Sequence, residues 1–275
     1  MKRHLDPVSL FLNIITKVAA FITILVLFFI IAYILIRGIP NLTPSLFEWE
    51  YTTENVSMMP AIINTIYVVL LSLLISAPIG ICSAIYLVEY AKRGSKLVKI
   101  VLLTTETLAG IPSIVYGLFG SLMFVISLNM GLSLLAGSLT LAIMVFPTIM
   151  RTAQVALVAV PDSYREGSYG LGAGKIRTIF RIILPSAVPG IMSGIVLSMG
   201  RIVGETAALI YTSGTVGKIS TSVFEPGSTL AVHMYKLMSE GLYTEQACAV
   251  AVVLLVFVII MNSLSSVLGK KLAKG

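Results

Sequence analysis

Apolar residues along this chain come in long runs, not in strict alternation. The clearest runs from Val18 to Ile36, and others lie at about 61–90, 100–128, 132–150, 186–212 and 246–268. At 1.5 Å per helical residue, about 20 residues cross the roughly 30 Å of hydrocarbon in a bilayer. The pattern therefore predicts six transmembrane helices. Ten-residue alternating segments of the barrel type are missing, and lipid tolerates no open sheet edge, so the expected fold is an all-α polytopic bundle. Gly, Pro and Ser inside several runs suit helices that pack closely in lipid. Composition agrees, with 57% hydrophobic and 11% charged residues. The first run is span-length and has no small-residue cleavage site after it, so it is expected to stay as a helix and not to be removed as a signal peptide.

The formal net charge of +7 is distributed asymmetrically. Lys2, Arg3 and Lys17 precede the first run, and Lys92, Arg93, Lys96 and Lys99 follow the second. Arg151, Arg165, Lys175, Arg177 and Arg181 follow the fourth, and Lys270, Lys271 and Lys274 close the chain. With six crossings these sets share one side, which the positive-inside rule makes cytoplasmic, together with both termini. The opposite loops carry Glu48, Glu50 and Glu54 after Arg37, the short turn LNMGLS, and Lys218 with Lys236. The asymmetry accounts for the basic excess, so no nucleic-acid footprint is read from it. The expected organisation is a tail, first helix and outer loop over 1–60, a permease domain over 61–268, and a basic tail over 269–275. Cys82 and Cys248 sit in apolar runs as small hydrophobes, with neither disulfide nor metal spacing. His233 stands alone in an outer loop and is expected at the surface. No cofactor is expected.

The stretch REGSYGLGAGKIRTIF, residues 165–180, looks at first like a phosphate-cradling loop. A P-loop needs G-x-x-x-x-G-K-[ST] after a buried strand. Here Tyr169 occupies the first glycine position, Ile176 replaces the hydroxyl residue, and no strand precedes. Local signals instead predict a short helix over 163–171 started by Pro161 and Asp162, a turn at Gly172 to Gly174, and a second, basic-apolar helix running to Leu184. Pro185 then suits the first turn of the fifth span. Such a helix-turn-helix, with Tyr164, Tyr169 and Leu171 as anchors, fits a docking knob for a soluble partner. It fits equally an amphipathic loop on the membrane surface.

The run from Glu166 through Pro185 resembles the coupling-loop signature of type I ABC importer permeases. Its elements are Glu166-Gly167-Ser168, then Gly172, then Ile182, Leu184 and Pro185; Gly167 and Ser168 stand where alanines are usual. The resemblance implies a coupling loop over 162–184 whose short helix inserts into a cleft on a separate ATPase, so that ATP hydrolysis belongs to another chain. Two further strings, ETLAGIPSIVYGLFG (106–120) and MGRIVGETAALIYTSG (199–214), resemble PstA-type permeases of phosphate importers. The resemblance implies inorganic phosphate as substrate. It also implies as partners a sister permease of PstC type, two copies of an ABC ATPase and an extracytoplasmic phosphate-binding protein.

Within the fifth run, Gly190, Gly194, Ser198, Arg201 and Glu205 recur at steps of four, four, three and four, which predicts one face of one helix. A small and polar stripe of this kind is expected to line a cavity, with Glu205 one turn beyond Arg201 as its partner. Arg201, Glu205 and Ser198 are thus the candidate substrate-pathway residues. The alternative for the pair is mutual neutralisation that holds the bundle together. A self-sufficient channel or secondary carrier is the competing class, but it has no need of a docking loop. Glu106 is expected to serve helix packing or a helix start. Gly110, Pro112 and Gly117 can kink the third span or permit close packing, and 228–241 is expected to form a short amphipathic helix on the outer face.

Overall fold

A computed structural model of the chain describes residues 7–92 and 94–272, and every described segment of regular structure is helical. In chain order these are α1 (Pro7–Gly38), α2 (Met59–Ile85), α3 (Lys96–Ala109), α4 (Ser113–Gly120), α5 (Leu134–Val158) and α6 (Asp162–Gly170). They are followed by α7 (Lys175–Thr178), α8 (Leu184–Val203), α9 (Ala207–Thr212), α10 (Leu230–Glu240) and α11 (Thr244–Leu272). Of the basic residues used to orient the chain, Lys2, Arg3, Arg93 and Lys274 lie outside the described residues, as do 273 and 275 of the 269–275 tail.

Among the described residues, five helices are long and apolar enough to cross a membrane. They are Ser9–Asn41, Met59–Tyr90, Leu134–Val158, Lys175–Val203 and Thr244–Ser265. The third expected span is not one helix. It is α3 and α4 with its π-helical extension to Ser127, meeting at a bend of 99°, and it makes the sixth crossing when the broken pair is counted as one. The cause is local. Pro112 has no N–H to continue the helix and pushes the residue before it towards an extended backbone. The Tyr116 hydroxyl reaches back across the break to donate to the Leu108 carbonyl at 2.8 Å, satisfying one acceptor that the break frees.

The fifth span also differs from expectation. It begins at Lys175, because α7, a π-helical turn at Ile179–Ile183 and α8 form one continuous helix. The widened turn comes just ahead of Pro185, where an ordinary α-helix would place the ring against a carbonyl one turn back. The same helix ends at Val203 and not at 212, and Gly204 separates it from α9.

Helices α2, α5 and α8 make the centre, with α5 packed between the other two. Val68, Val69, Leu141, Met144, Val145, Ile149, Ile202 and Leu209 are buried together there with Tyr116. A β-carbon at Gly80 would lie 2.9 Å from Ile149 Cγ2, so α2 and α5 approach closely on glycine. Helix α1 stands apart. It touches the bundle chiefly along α11, near Gly38 and Val252, and presents Phe21, Ile24, Phe28, Phe29 and Ile36 outward, as a helix surrounded by lipid does.

Candidate functional site

The α5–α8 contact sets the depth of Arg201. A β-carbon on Gly190 would lie 2.6 Å from Ala156 Cβ, and one on Gly194 2.7 Å from Thr152 Cβ. In this antiparallel register each step along α8 is matched by a step back along α5, so Arg201 lies about level with Val145. That is near the middle of Leu134–Val158. Arg201 is partly buried, and no salt bridge joins it to any described residue. An arginine at mid-bilayer costs about 2.5–3.5 kcal/mol on insertion scales, so a position facing lipid is disfavoured.

This geometry corrects the expected stripe. Gly190 and Gly194 do not line a cavity; they are the seats of α5, chosen for closeness of backbone approach. Ser198, one turn before Arg201, is fully buried, and its hydroxyl has no hydrogen-bond partner among the described residues. Glu205 is not on the Arg201 helix. The chain turns at Gly204, and the Glu205 carboxylate accepts from the Ala208 N–H at 3.1 Å. It thereby satisfies a free donor at the start of α9 and lies in the positive field of that terminus. The i,i+4 pair therefore fails because the helix that would have carried it stops two residues too soon.

The loop after α5 has the predicted form of helix, turn and basic-apolar helix. Gly172 adopts φ +81°, where a β-carbon is disfavoured, and its N–H is bonded to the Tyr169 carbonyl. Glu166 and Gly167 are exposed on α6, Tyr164 and Tyr169 point outward, and Leu171 is 90% exposed at the tip. A large apolar residue displayed this far suits insertion into a partner better than contact with water. Ser168 is the buried member: its hydroxyl pairs with that of Thr178 at 2.8 Å and ties α6 to the following helix. Leu184 and Pro185 open α8. A shallow cleft beside the turn is lined by Leu171, Ala173, Arg177 and Arg181.

One contact of this loop was not anticipated. Arg165, read only as a basic loop residue, is 14% exposed and pairs with Glu89, 6% exposed, in the π-helical turn Tyr86–Tyr90 that extends α2. The one available signal was an acidic residue closing an otherwise apolar run. Glu106 reaches Arg151 of α5 at 3.5 Å, a contact between helices and not a helix start. The expected outer helix forms as α10, but much of it is covered. His233 is 2% exposed instead of lying at the surface. Its Nε2–H donates to the Val56 carbonyl at 3.2 Å, and the Tyr51 ring meets it edge-on at 5.9 Å. Burial holds its pKa down to about 4; the bond to Val56 opposes this and the charge of Lys236 adds to it.

A multi-pass helical bundle with a structured, apolar-tipped loop at one end has the build of a membrane transport subunit. The chain belongs to the family of binding-protein-dependent transport system inner membrane components, which matches it over residues 76–274, and so is a permease subunit of an ABC transporter. A probable ABC transporter permease of Bacillus subtilis (strain 168), YqgI, is 30% identical over 267 residues, covering 88% of each chain. The phosphate transport system permease protein PstA of Yersinia pestis is 35% identical over 240 residues, covering 86% of this chain and 81% of that one. Among solved structures, a bacterial alginate ABC transporter in complex with its pentasaccharide-bound periplasmic protein matches 96% of this chain with a TM-score of 0.64 at 18% identity. At that identity the likeness concerns the fold.

Proposed function

We propose that this chain forms half of the translocation pathway of an ATP-driven inorganic phosphate importer in the cell membrane, with both termini cytoplasmic. The observation that carries the reading is Arg201, a cation level with the middle of α5 and without an ionic partner among the described residues. A guanidinium offers a planar fork to two oxygens of a tetrahedral oxyanion, and its charge offsets the cost of bringing phosphate into a low-dielectric region. The Ser198 hydroxyl, buried without a partner one turn away, is a further donor for the passing anion. Glu205, held by the α9 backbone just past the end of the Arg201 helix, is the acidic residue that keeps phosphate from binding too tightly to leave. Likeness to a phosphate permease over 86% of the chain supports this choice of substrate.

The loop centred on Gly172 is the contact with a separate ATPase. Glu166, Gly167 and Ser168 with Gly172 shape the inserting helix and its turn, while Leu184 and Pro185 lie a few turns into the continuous helix that carries the motion inward. The complex comprises this chain, a sister permease of PstC type, two copies of the ATPase and an extracytoplasmic phosphate-binding protein. ATP hydrolysis takes place on the ATPase.

The test is phosphate uptake per assembled complex in Arg201→Gln, Arg201→Lys and Glu205→Gln. Gln keeps donors and loses the charge, whereas Lys keeps the charge and loses the fork. The expected order is abolished uptake for Arg201→Gln, partial uptake for Arg201→Lys, and a smaller loss for Glu205→Gln than for Arg201→Gln. Normal uptake by Arg201→Gln would place the anion path elsewhere.

A further inference from the structure

The Arg165 guanidinium uses every N–H it has. Nε and Nη2 both donate to Glu89 Oε1, at 3.1 and 2.8 Å. Nη1 donates to the Val160 carbonyl at 2.9 Å and to Asp162 Oδ1 at 3.2 Å, and Nη2 also reaches the Leu157 carbonyl at 3.1 Å. Five N–H groups meet four acceptor atoms, Glu89 Oε1 taking two of the bonds, and these sit in three places: the π-helical turn that extends α2 (Tyr86–Tyr90), the last turn of α5 with the residues just after it, and the start of α6. An ordinary surface arginine does not do this. The fork is planar and its donors are fixed relative to one another, so a displacement of α6 cannot be absorbed by one bond alone. It must move Glu89 and the α5 terminus or break the set.

The other side of α6 is joined differently. Ser168 of α6 pairs with Thr178 of α7, and Lys175 of α7 lies 4.6 Å above the ring of Tyr90, the residue after Glu89. The hydroxyl pair is neutral and single, and the Lys175–Tyr90 contact is a point charge over a ring face, without a fork to fix its direction. Four of the five Arg165 bonds leave α6, for Glu89 after α2 and for the Leu157 and Val160 carbonyls at the end of α5, and α2 and α5 are the helices whose packing makes the centre of the bundle.

We propose that Arg165 and Glu89 form a positioning clamp that converts displacement of the docked α6 helix into movement of α2 and α5. This rests on the docking role given to the loop above. Arg165 and Glu89 touch neither phosphate nor the nucleotide in this account; they act by keeping α6 rigid against the helices it must move. Without the clamp the ATPase still docks, because the docking surface is formed by Tyr164, Tyr169 and Leu171 on the outward side. It then turns over without moving the pathway. A further consequence is that the ratio of phosphate imported to ATP hydrolysed reports on the clamp, whereas a residue needed only for folding changes the amount of complex and leaves that ratio alone.

The experiment uses the whole complex, purified and reconstituted in vesicles with labelled inorganic phosphate, and measures uptake and ATP hydrolysis in parallel. Glu89→Gln removes the charge in place, Glu89→Asp withdraws the carboxylate by one methylene, and Arg165→Lys removes the fork. The clamp predicts normal recovery of ATPase with the permease, hydrolysis within about two-fold of the unaltered complex, and uptake per ATP lowered about ten-fold by Glu89→Gln. Arg165→Lys and Glu89→Asp should fall between. Uptake per ATP at the unaltered level in the variants that assemble would overturn the proposal. So would failure of all three to assemble, which would assign the cluster to folding. Gly172→Asp in the same assay separates the two readings: it should lose the ATPase from the complex, and its retention with full uptake would refute docking itself.

Discussion

His233 gives the sharpest quantitative test of the outer packing. An exposed histidine titrates near 6.5, and this one, on the covered face of α10, is held to about 4 by burial, so the unfolded chain takes up a proton that the folded chain resists. The sign follows from the depressed folded value. Stability is fully present above about pH 6.5 and declines as pH falls towards 4. Each pKa unit corresponds to about 1.4 kcal/mol, so the loss should be about 2 kcal/mol between pH 7 and pH 5 and should level off near 3 kcal/mol below pH 4. His233→Gln isolates this contribution, because Gln can still donate to the Val56 carbonyl but does not titrate. Unfolding of the purified protein in detergent, measured by heat or denaturant at pH 7 and pH 5, should show the unaltered chain losing about 2 kcal/mol more than the variant. Equal losses in the two proteins would mean that His233 is hydrated or already paired, and would refute the buried placement of α10.

The α5–α8 seat yields a second expectation: Gly194→Ala should destabilise the bundle by about 1–3 kcal/mol, since Thr152 Cβ would lie 2.7 Å from the new methyl and cannot rotate away. Thr152→Gly in the same chain should restore most of the loss, and a silent Gly194→Ala would revive the cavity-lining reading of that face. For orientation, single cysteines placed at the exposed positions 163 and 218 in a background lacking Cys82 and Cys248 should differ in labelling by a membrane-impermeant reagent. Position 218 should react in intact cells and position 163 only after the membrane is opened; the reverse would invert the topology.

The crossings were legible because the hydrocarbon thickness imposes a length on every apolar run, and that constraint needs no knowledge of neighbours. The helix-turn-helix of 162–184 was legible for a similar reason, as Pro161, Gly172 and Pro185 are local punctuation. The bend after Ala109 was only half visible. Gly110 and Pro112 announce a break, but its angle depends on α4 packing against α9, where a β-carbon on Gly117 would lie 2.8 Å from Ala208 Cα. Arg201 and Glu205 were mispaired because the 3.6-residue period was carried through Gly204, a residue that readily ends a helix. Reading Gly204 as a stop would have left Glu205 and Thr206 as the start of the next helix. The Arg165–Glu89 contact was out of reach: it spans 76 positions, and only the folded arrangement of α2, α5 and α6 brings the two charges together.

The central claim is that ATP spent on a separate chain drives inorganic phosphate past Arg201. The most direct measurement is labelled phosphate accumulation by the complex that co-purifies with this chain, reconstituted in vesicles with its binding protein, with and without ATP, and with excess sulfate as competitor. The account predicts accumulation that requires ATP, withstands sulfate and is lost with Arg201→Gln. Accumulation without ATP, or accumulation of another solute in place of phosphate, would contradict it.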